Sequence, residues 1–258
     1  MNASPISETI SDAVVIAKRD LLVWLRVPSF IFFSIIQPVM FVLLFRYVFG
    51  GAINVPNAGG YVDFLMPGII AQSAAFASFG TAIGLAKEIQ LGVVDRFRSM
   101  PMARSAVING RLLADTLRIA ITTLVILFVG ILVGFRFHDS LLEAISMIVL
   151  AIVFGVVITI VSAYCGIALK NEESVQSFGL VWLFPLTFVS SAFVPVQSMP
   201  GWMQVFANNQ PVTIVVNAMR NLALGQPSGH DVLLSAIWLI AIAAVFTPLA
   251  VRSFSKIS

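Results

Sequence analysis

Glu88, Asp95, Arg96 and Arg98 crowd into one short stretch, Lys87 to Arg111, of a 258-residue chain with only 15 Lys and Arg and 12 Asp and Glu. On a helical wheel, Ile89, Val93, Val94, Phe97 and Met100 share one face and Asp95, Arg96, Arg98 and Ser99 the other, with Leu91 the main exception. The stretch therefore reads as a short amphipathic helix with charges of both signs on its polar face. Pro101 disfavours helix at Met100 and ends the segment. An ordinary basic loop is the plainer reading, but Glu88 and Asp95 are not needed for it. Just beyond, Arg111, Asp115 and Arg118 follow at i, i+4 and i+7 inside an apolar run. One carboxylate there can pair with either arginine on one helix face. Ionisable residues in such a run are functional candidates, so a structural pair and a role in relaying motion both stay open.

Other chemistry is missing from the sequence. It has no G-x-x-x-x-G-K-[ST] loop for nucleotide phosphates and no H-E-x-x-H. His138 and His230 stand apart from any carboxylate cluster, so no metal site is expected. Cys165 is the only cysteine and lies in an apolar run, which excludes an internal disulfide. No Ser or Cys nucleophile shares an apolar run with a histidine, so no catalytic residues are expected. Basic residues gather at the ends of apolar runs rather than in a stripe, which argues against nucleic acid.

The elements that must position these residues are read from hydropathy. The chain is 59% hydrophobic and 10% charged, with a mean hydropathy of +1.00, as in an all-α polytopic membrane protein. Six runs are long enough to cross a bilayer: 28–49, 64–86, 112–135, 141–169, 174–196 and 232–251. Placing both termini in the cytoplasm puts eleven basic residues inside and only Arg46, Arg136 and Arg220 outside. Before the first run, 7–26 reads as an interfacial amphipathic helix, with Ile10, Val14, Ala17, Leu21, Trp24 and Leu25 on one side. A soluble amphipathic helix is the alternative. No cleavable signal is evident, so the first run is expected to persist in the mature protein.

Between the last two runs, prolines 195, 200, 211 and 227 divide the chain into pieces too short to span. The segment 197–225 is therefore expected to form outer interfacial or re-entrant helices. GTAIG (80–84) and GILVG (130–134) match a small-xxx-small packing pattern, within one subunit or between two. Phe32, Phe33, Phe184 and Phe188 are candidates to line an apolar substrate path, although lipid-facing side chains would look the same.

Glu88, Gly92, Asp95, Arg96 and Pro101 together resemble the E-x-x-x-G-x-x-[DE]-R-x-x-x-x-P cytoplasmic signature of type-2 ATP-binding-cassette exporter permeases, particularly the daunorubicin-resistance-like branch. A second block, Phe193 to Gly225, resembles that family's outer segment with its MP-x-W and R-x-L-x-x-G. The resemblance extends over the whole chain and implies a single permease domain with a coupling helix at 87–101. It also implies two copies of a separate ATPase subunit that carry ATP and Mg, a second permease subunit, no cofactor on this chain and a bacterial-type plasma membrane. Glu88, Gly92, Asp95, Arg96, Arg98 and Pro101 would then couple the ATPase to the spans, with Arg111, Asp115 and Arg118 as a relay. The expected cargo is an amphipathic drug or lipid. A glycan exporter of the same family and an ion-driven secondary transporter are the alternatives, although three charge-free runs and the lack of a repeat weigh against the second.

Overall fold

In hydrocarbon an unpaired backbone N–H or C=O is so costly that an apolar run must close its own hydrogen bonds, and a helix does this within one segment. The computed structural model describes residues 5–53, 55, 59–92 and 104–255, and among them every regular element is helical. Helix α1 spans Pro5–Arg26, and α2 is a helical run over 28–49. They are followed by α3 (Tyr61–Gln90), α4 (Arg104–Val133), α5 (Leu141–Leu169), α6 (Glu172–Phe188), α7 (Gly201–Asn209), α8 (Pro211–Leu224) and α9 (Gly229–Ser255). Four stretches are long and apolar enough to cross a membrane: Tyr61–Gln90, Asn109–Val133, Leu141–Leu169 and Gly229–Phe254. The chain is a polytopic membrane protein.

Helix α3 is the centre of the bundle. Every residue from Tyr61 to Ala75 is buried, as expected of a helix apolar on all sides. Its Leu65, Met66, Ile69 and Ile70 pack with Met147 and Phe154 of α5, Ile126 of α4 and Val215 and Met219 of α8. Helix α9 is largely exposed, with Leu233, Ile237, Ile240 and Val245 facing outward. Close approach depends on a few glycines. A Cβ on Gly68 would run into the backbone of Ala192, and one on Gly166 into the backbone of Ala82. The two patterned glycine pairs act otherwise: Gly80 and Gly134 have open space, while Gly84 and Gly130 make room for the side chains of Arg111 and Met66.

Three elements depart from the sequence reading. Helix α2 keeps the bounds 28–49 but opens into wide π turns at Phe32–Ile36 and Phe45–Phe49. Pro38 has no N–H to give the preceding turn, which suits the irregularity there. The run 174–196 is helical only to Phe188, because the following segment takes up the backbone groups at its end. Gln210 Nε2 donates to the carbonyls of Leu186 and Val189 at 2.9 and 3.0 Å, and Arg220 Nη2 to that of Ser191 at 2.6 Å. Third, α3 continues to Gln90, so Lys87 and Glu88 belong to the long helix rather than to a separate coupling helix starting at 87.

Helix α1 packs on α4, and a Cβ on Gly110 would meet Ala13 O at 2.6 Å and Ile16 Cβ at 2.8 Å. Ala13, Ile16, Ala17 and Trp24 are buried there, whereas Val14 and Leu25 of the expected apolar face are exposed. The helix thus has one face for protein and a second apolar face turned outward.

Candidate functional site

Of the charges singled out in the sequence, Glu88, Arg111, Asp115 and Arg118 gather at the end of the bundle where α3 finishes and α4 begins. Glu88, in the last turn of α3, is half-buried between two arginines. Arg111 Nη1 of α4 donates to its Oε2 at 2.6 Å, and Arg19 Nη2 of α1 donates to its Oε1 at 3.1 Å. Arg19 also pairs with Asp20 at 2.8 Å. Partial burial works against the Arg19 charge, but Asp20 and Glu88 outweigh it and hold its pKa above the ordinary arginine value. Gly84 makes the crossing possible, since a Cβ there would stand 2.6 Å from Arg111 Nη2. One carboxylate thereby clasps three helices.

About a turn deeper, Asp115 and Arg118 form a second link between α3 and α4. Arg118 Nη2 lies 2.6 Å from Asp115 Oδ1, and Thr81 of α3 donates to Asp115 Oδ2 at 2.6 Å. Arg118 Nη2 also donates to Ala77 O at 3.0 Å and to Thr81 Oγ1 at 3.3 Å. Of the two pairings the sequence allowed Asp115, the structure uses the arginine at i+3, and Arg111 goes to Glu88 instead. The three relay candidates therefore make two separate rivets. Beside them lies a mainly apolar cavity of about 190 Å³ among α3, α4, α5 and α9, lined by Leu85, Leu112, Asp115, Ile160, Val251 and Phe254 among others. That is below the roughly 300 Å³ at which drug-sized pockets begin.

Past Gln90 the chain turns sharply. Gly92 takes the left-handed conformation (φ 66°), which a side chain would oppose, and its N–H donates to Ile89 O at 3.1 Å. Gly92 is thus the stop between α3 and the segment that follows. Asp95, Arg96, Arg98 and Pro101 lie outside the described residues.

The aromatic candidates fall on another face. Phe184 and Phe188 stack at 5.3 Å, Phe188 on Phe193 at 5.1 Å, and Phe193 on Phe45 of α2 at 4.8 Å. Phe76 of α3 meets Phe184 edge-on at 5.4 Å. This ladder joins α2, α3 and α6, and Phe184 and Phe188 remain partly exposed along it. Phe32 is exposed as well, and the Phe33 side chain lies outside those described.

Sequence reasoning missed Arg19 as a partner of Glu88 and, within the outer helical segment 197–225, took Arg220 only as a mark of topology. Arg220 is buried at the opposite end of α3, its Cζ 3.7 Å above the Phe64 ring. The available signal was Asn217 and Arg220 at i, i+3 in the otherwise apolar TIVVNAMRNLAL.

Comparison with known proteins supplies context for this geometry. The model of the ABC-2 type transporter family matches residues 12–224. The chain is 32% identical over 236 residues to the daunorubicin resistance ABC transporter permease protein DrrB1 of Streptomyces coeruleorubidus, a match covering 92% of this chain and 83% of that one. It is 28% identical over 249 residues to the probable doxorubicin resistance ABC transporter permease protein DrrC of Mycobacterium tuberculosis H37Rv, covering 94% and 88%. A putative transport permease, ycf38, of Cyanophora paradoxa is 24% identical over 218 residues, covering 83% and 74%.

Proposed function

Because the chain belongs to the ABC-2 type transporter family and is a transmembrane subunit of an ABC transporter, we propose that it is the permease of an exporter for amphipathic drugs or lipids. In this reading a separate ATPase subunit docks on the segment after Gly92, in two copies, and two permease subunits form the pore. The observation that carries it is the clasp on Glu88, which sits four residues before Gly92. A push on the docked segment acts directly on the ends of α3 and α4. Glu88, bound to Arg111 and Arg19, passes it on to α1, while the Asp115 link keeps α3 and α4 moving together. The single-chain cavity near Asp115 is too small for a drug-sized cargo, so the cargo path is assigned to the exposed aromatic ladder closed by the second permease. The names of the relatives in Streptomyces coeruleorubidus and Mycobacterium tuberculosis support a planar, amphipathic cargo.

The test is reconstitution in proteoliposomes. The chain alone should hydrolyse no ATP, and with its ATPase subunit it should hydrolyse ATP faster when doxorubicin is added. Robust hydrolysis by the clean chain, or a complex indifferent to every amphiphile tried, would remove the reading.

We further propose six crossings, with α2 (28–49) and the shorter α6 completing the four long helices, and both termini in the cytoplasm. The excess of Lys and Arg on the Glu88 side supports that orientation. A cysteine at Asn209 should then react with an impermeant maleimide in intact cells. Labelling only after permeabilisation would invert the topology.

A further inference from the structure

At the end of α3 remote from Glu88 the fold encloses a half-open cavity of about 300 Å³. Arg220 of α8 forms part of its wall, with Asn217 one turn earlier, Asn208 of α7, and Ser191, Gln197 and Phe64 around them. Arg220 is buried, yet none of its partners carries a charge. Its Nε donates to Phe64 O at 3.1 Å, Nη1 to Asn217 Oδ1 at 2.8 Å and Nη2 to Ser191 O at 2.6 Å. The guanidinium has five N–H groups, so these three bonds leave two unspent. Among the described residues no carboxylate lines the cavity.

The neighbours are arranged as donors too. Asn217 Oδ1 accepts from both Arg220 and the Ser191 hydroxyl, the latter at 2.7 Å. With its oxygen fixed by two donors, the Asn217 amide must turn its NH₂ the other way. Asn208 and Gln197 also line the cavity, and each side-chain amide carries N–H groups. A buried cation with unspent donors, sharing its cavity with three side-chain amides and no carboxylate among the described residues, attracts an anion with several acceptor oxygens, because guanidinium and tetrahedral or planar oxyanions match in geometry as well as charge.

We propose that this cavity is an oxyanion site, whose ligand carries a phosphate group held by Arg220, Asn217 and Asn208. A phosphate-bearing lipid headgroup and free phosphate share that chemistry. The site is separate from the Glu88 clasp: α3 runs about 36 Å from Phe64 to Glu88 at 1.5 Å per residue. It stands on geometry alone and does not depend on the export reading.

The experiment uses the purified full chain in a neutral detergent at constant ionic strength. Inorganic phosphate and dihexanoyl phosphatidic acid are titrated separately, and binding is read from ³¹P line broadening. Asn208→Asp is the informative variant, because Asn208 takes no part in holding Arg220 and the change places a negative charge at the opening. Saturable binding of either probe is expected, weakened at least tenfold by Asn208→Asp, while the thermal midpoint of the unliganded variant is not lowered, since the new carboxylate gives Arg220 a counter-charge. Binding of the lipid alone would identify a headgroup as the ligand, and binding of both probes would show that the phosphate itself suffices. Absence of saturable binding by either probe, or binding equal in wild type and Asn208→Asp, would overturn the proposal and leave Arg220 as a pin for α8.

Discussion

Asp115→Ala is expected to destabilise the folded chain by about 3–5 kcal/mol, the cost of stranding one member of a buried ion pair. Asp115 is the counter-charge the structure gives Arg118, and its side chain is only 6% exposed. Without it the guanidinium keeps two neutral acceptors, Ala77 O and Thr81 Oγ1. Its Nε is already buried with no partner, so the site has no spare acceptor to offer. The Thr81 hydroxyl would lose its acceptor at the same time. Asp115→Asn keeps an oxygen for Thr81 and removes only the charge, so its loss should be smaller. Asp115→Ala combined with Arg118→Leu removes both charges and should regain most of the stability, since a buried pair replaced by apolar groups is often close to neutral. Thermal unfolding and folded yield in detergent report all three. A single variant within about 0.5 kcal/mol of wild type, the usual range for an uninvolved surface site, would show that water or lipid headgroups already screen Arg118.

The Asp115–Arg118 pair could be anticipated because both residues lie within one helical turn, where sequence spacing is spatial spacing. The same locality explains the long elements. The stretches that became α3, α4, α5 and α9 are apolar for longer than a bilayer is thick, and α1 announced itself by its period. What escaped were features set by residues far apart in sequence. Glu88 binds Arg19 and Arg111, 69 and 23 positions away, and no local pattern couples those three. The end of α6 at Phe188 is imposed by Gln210, whose amide reaches back over 21 to 24 positions to its carbonyls. A hydropathy window sees Val189 to Val196 as more of the same apolar run, although the backbone there is already folded against α8.

Arg220 shows the same limit differently. Counting Lys and Arg by loop treats every basic residue as a mark of topology, and by that count Arg220 is one of three on the outer side. In the fold it is buried against Phe64, Ser191 and Asn217, so its position answers to packing and hydrogen bonding. Removing Arg220 from the count leaves eleven basic residues against two, so the proposed orientation does not rest on it. The members of the count do not all serve the same purpose, and Glu88 with Arg111 and Arg19 makes the point again: two of the inside-marking arginines are also structural.

That double role separates the residues proposed to couple the ATPase into two groups with different expected phenotypes. Arg96 lies beyond the break at Gly92, on the side of the segment that the sequence pattern leaves polar. If it meets an acidic group of the ATPase in a buried pair, Arg96→Glu should cost about 2–5 kcal/mol of association, roughly 30-fold or more in affinity at about 1.4 kcal/mol per tenfold. Capture of the ATPase, normalised to the amount of permease in the membrane, should fall accordingly. Positive-inside topology would not suffer, because Lys87, Arg98, Arg104 and Arg111 remain. Glu88 is different, since its carboxylate is spent within the chain on Arg111 and Arg19. Glu88→Gln should therefore leave ATPase capture near wild type and lower transport per ATP hydrolysed, because α1 is no longer tied to the end of α3. Measured side by side, the two variants distinguish docking from transmission. Normal capture by Arg96→Glu would remove the docking assignment. Loss of capture by Glu88→Gln would mean that the clasp shapes the docking surface itself, and that α1 belongs to the socket rather than to the lever behind it.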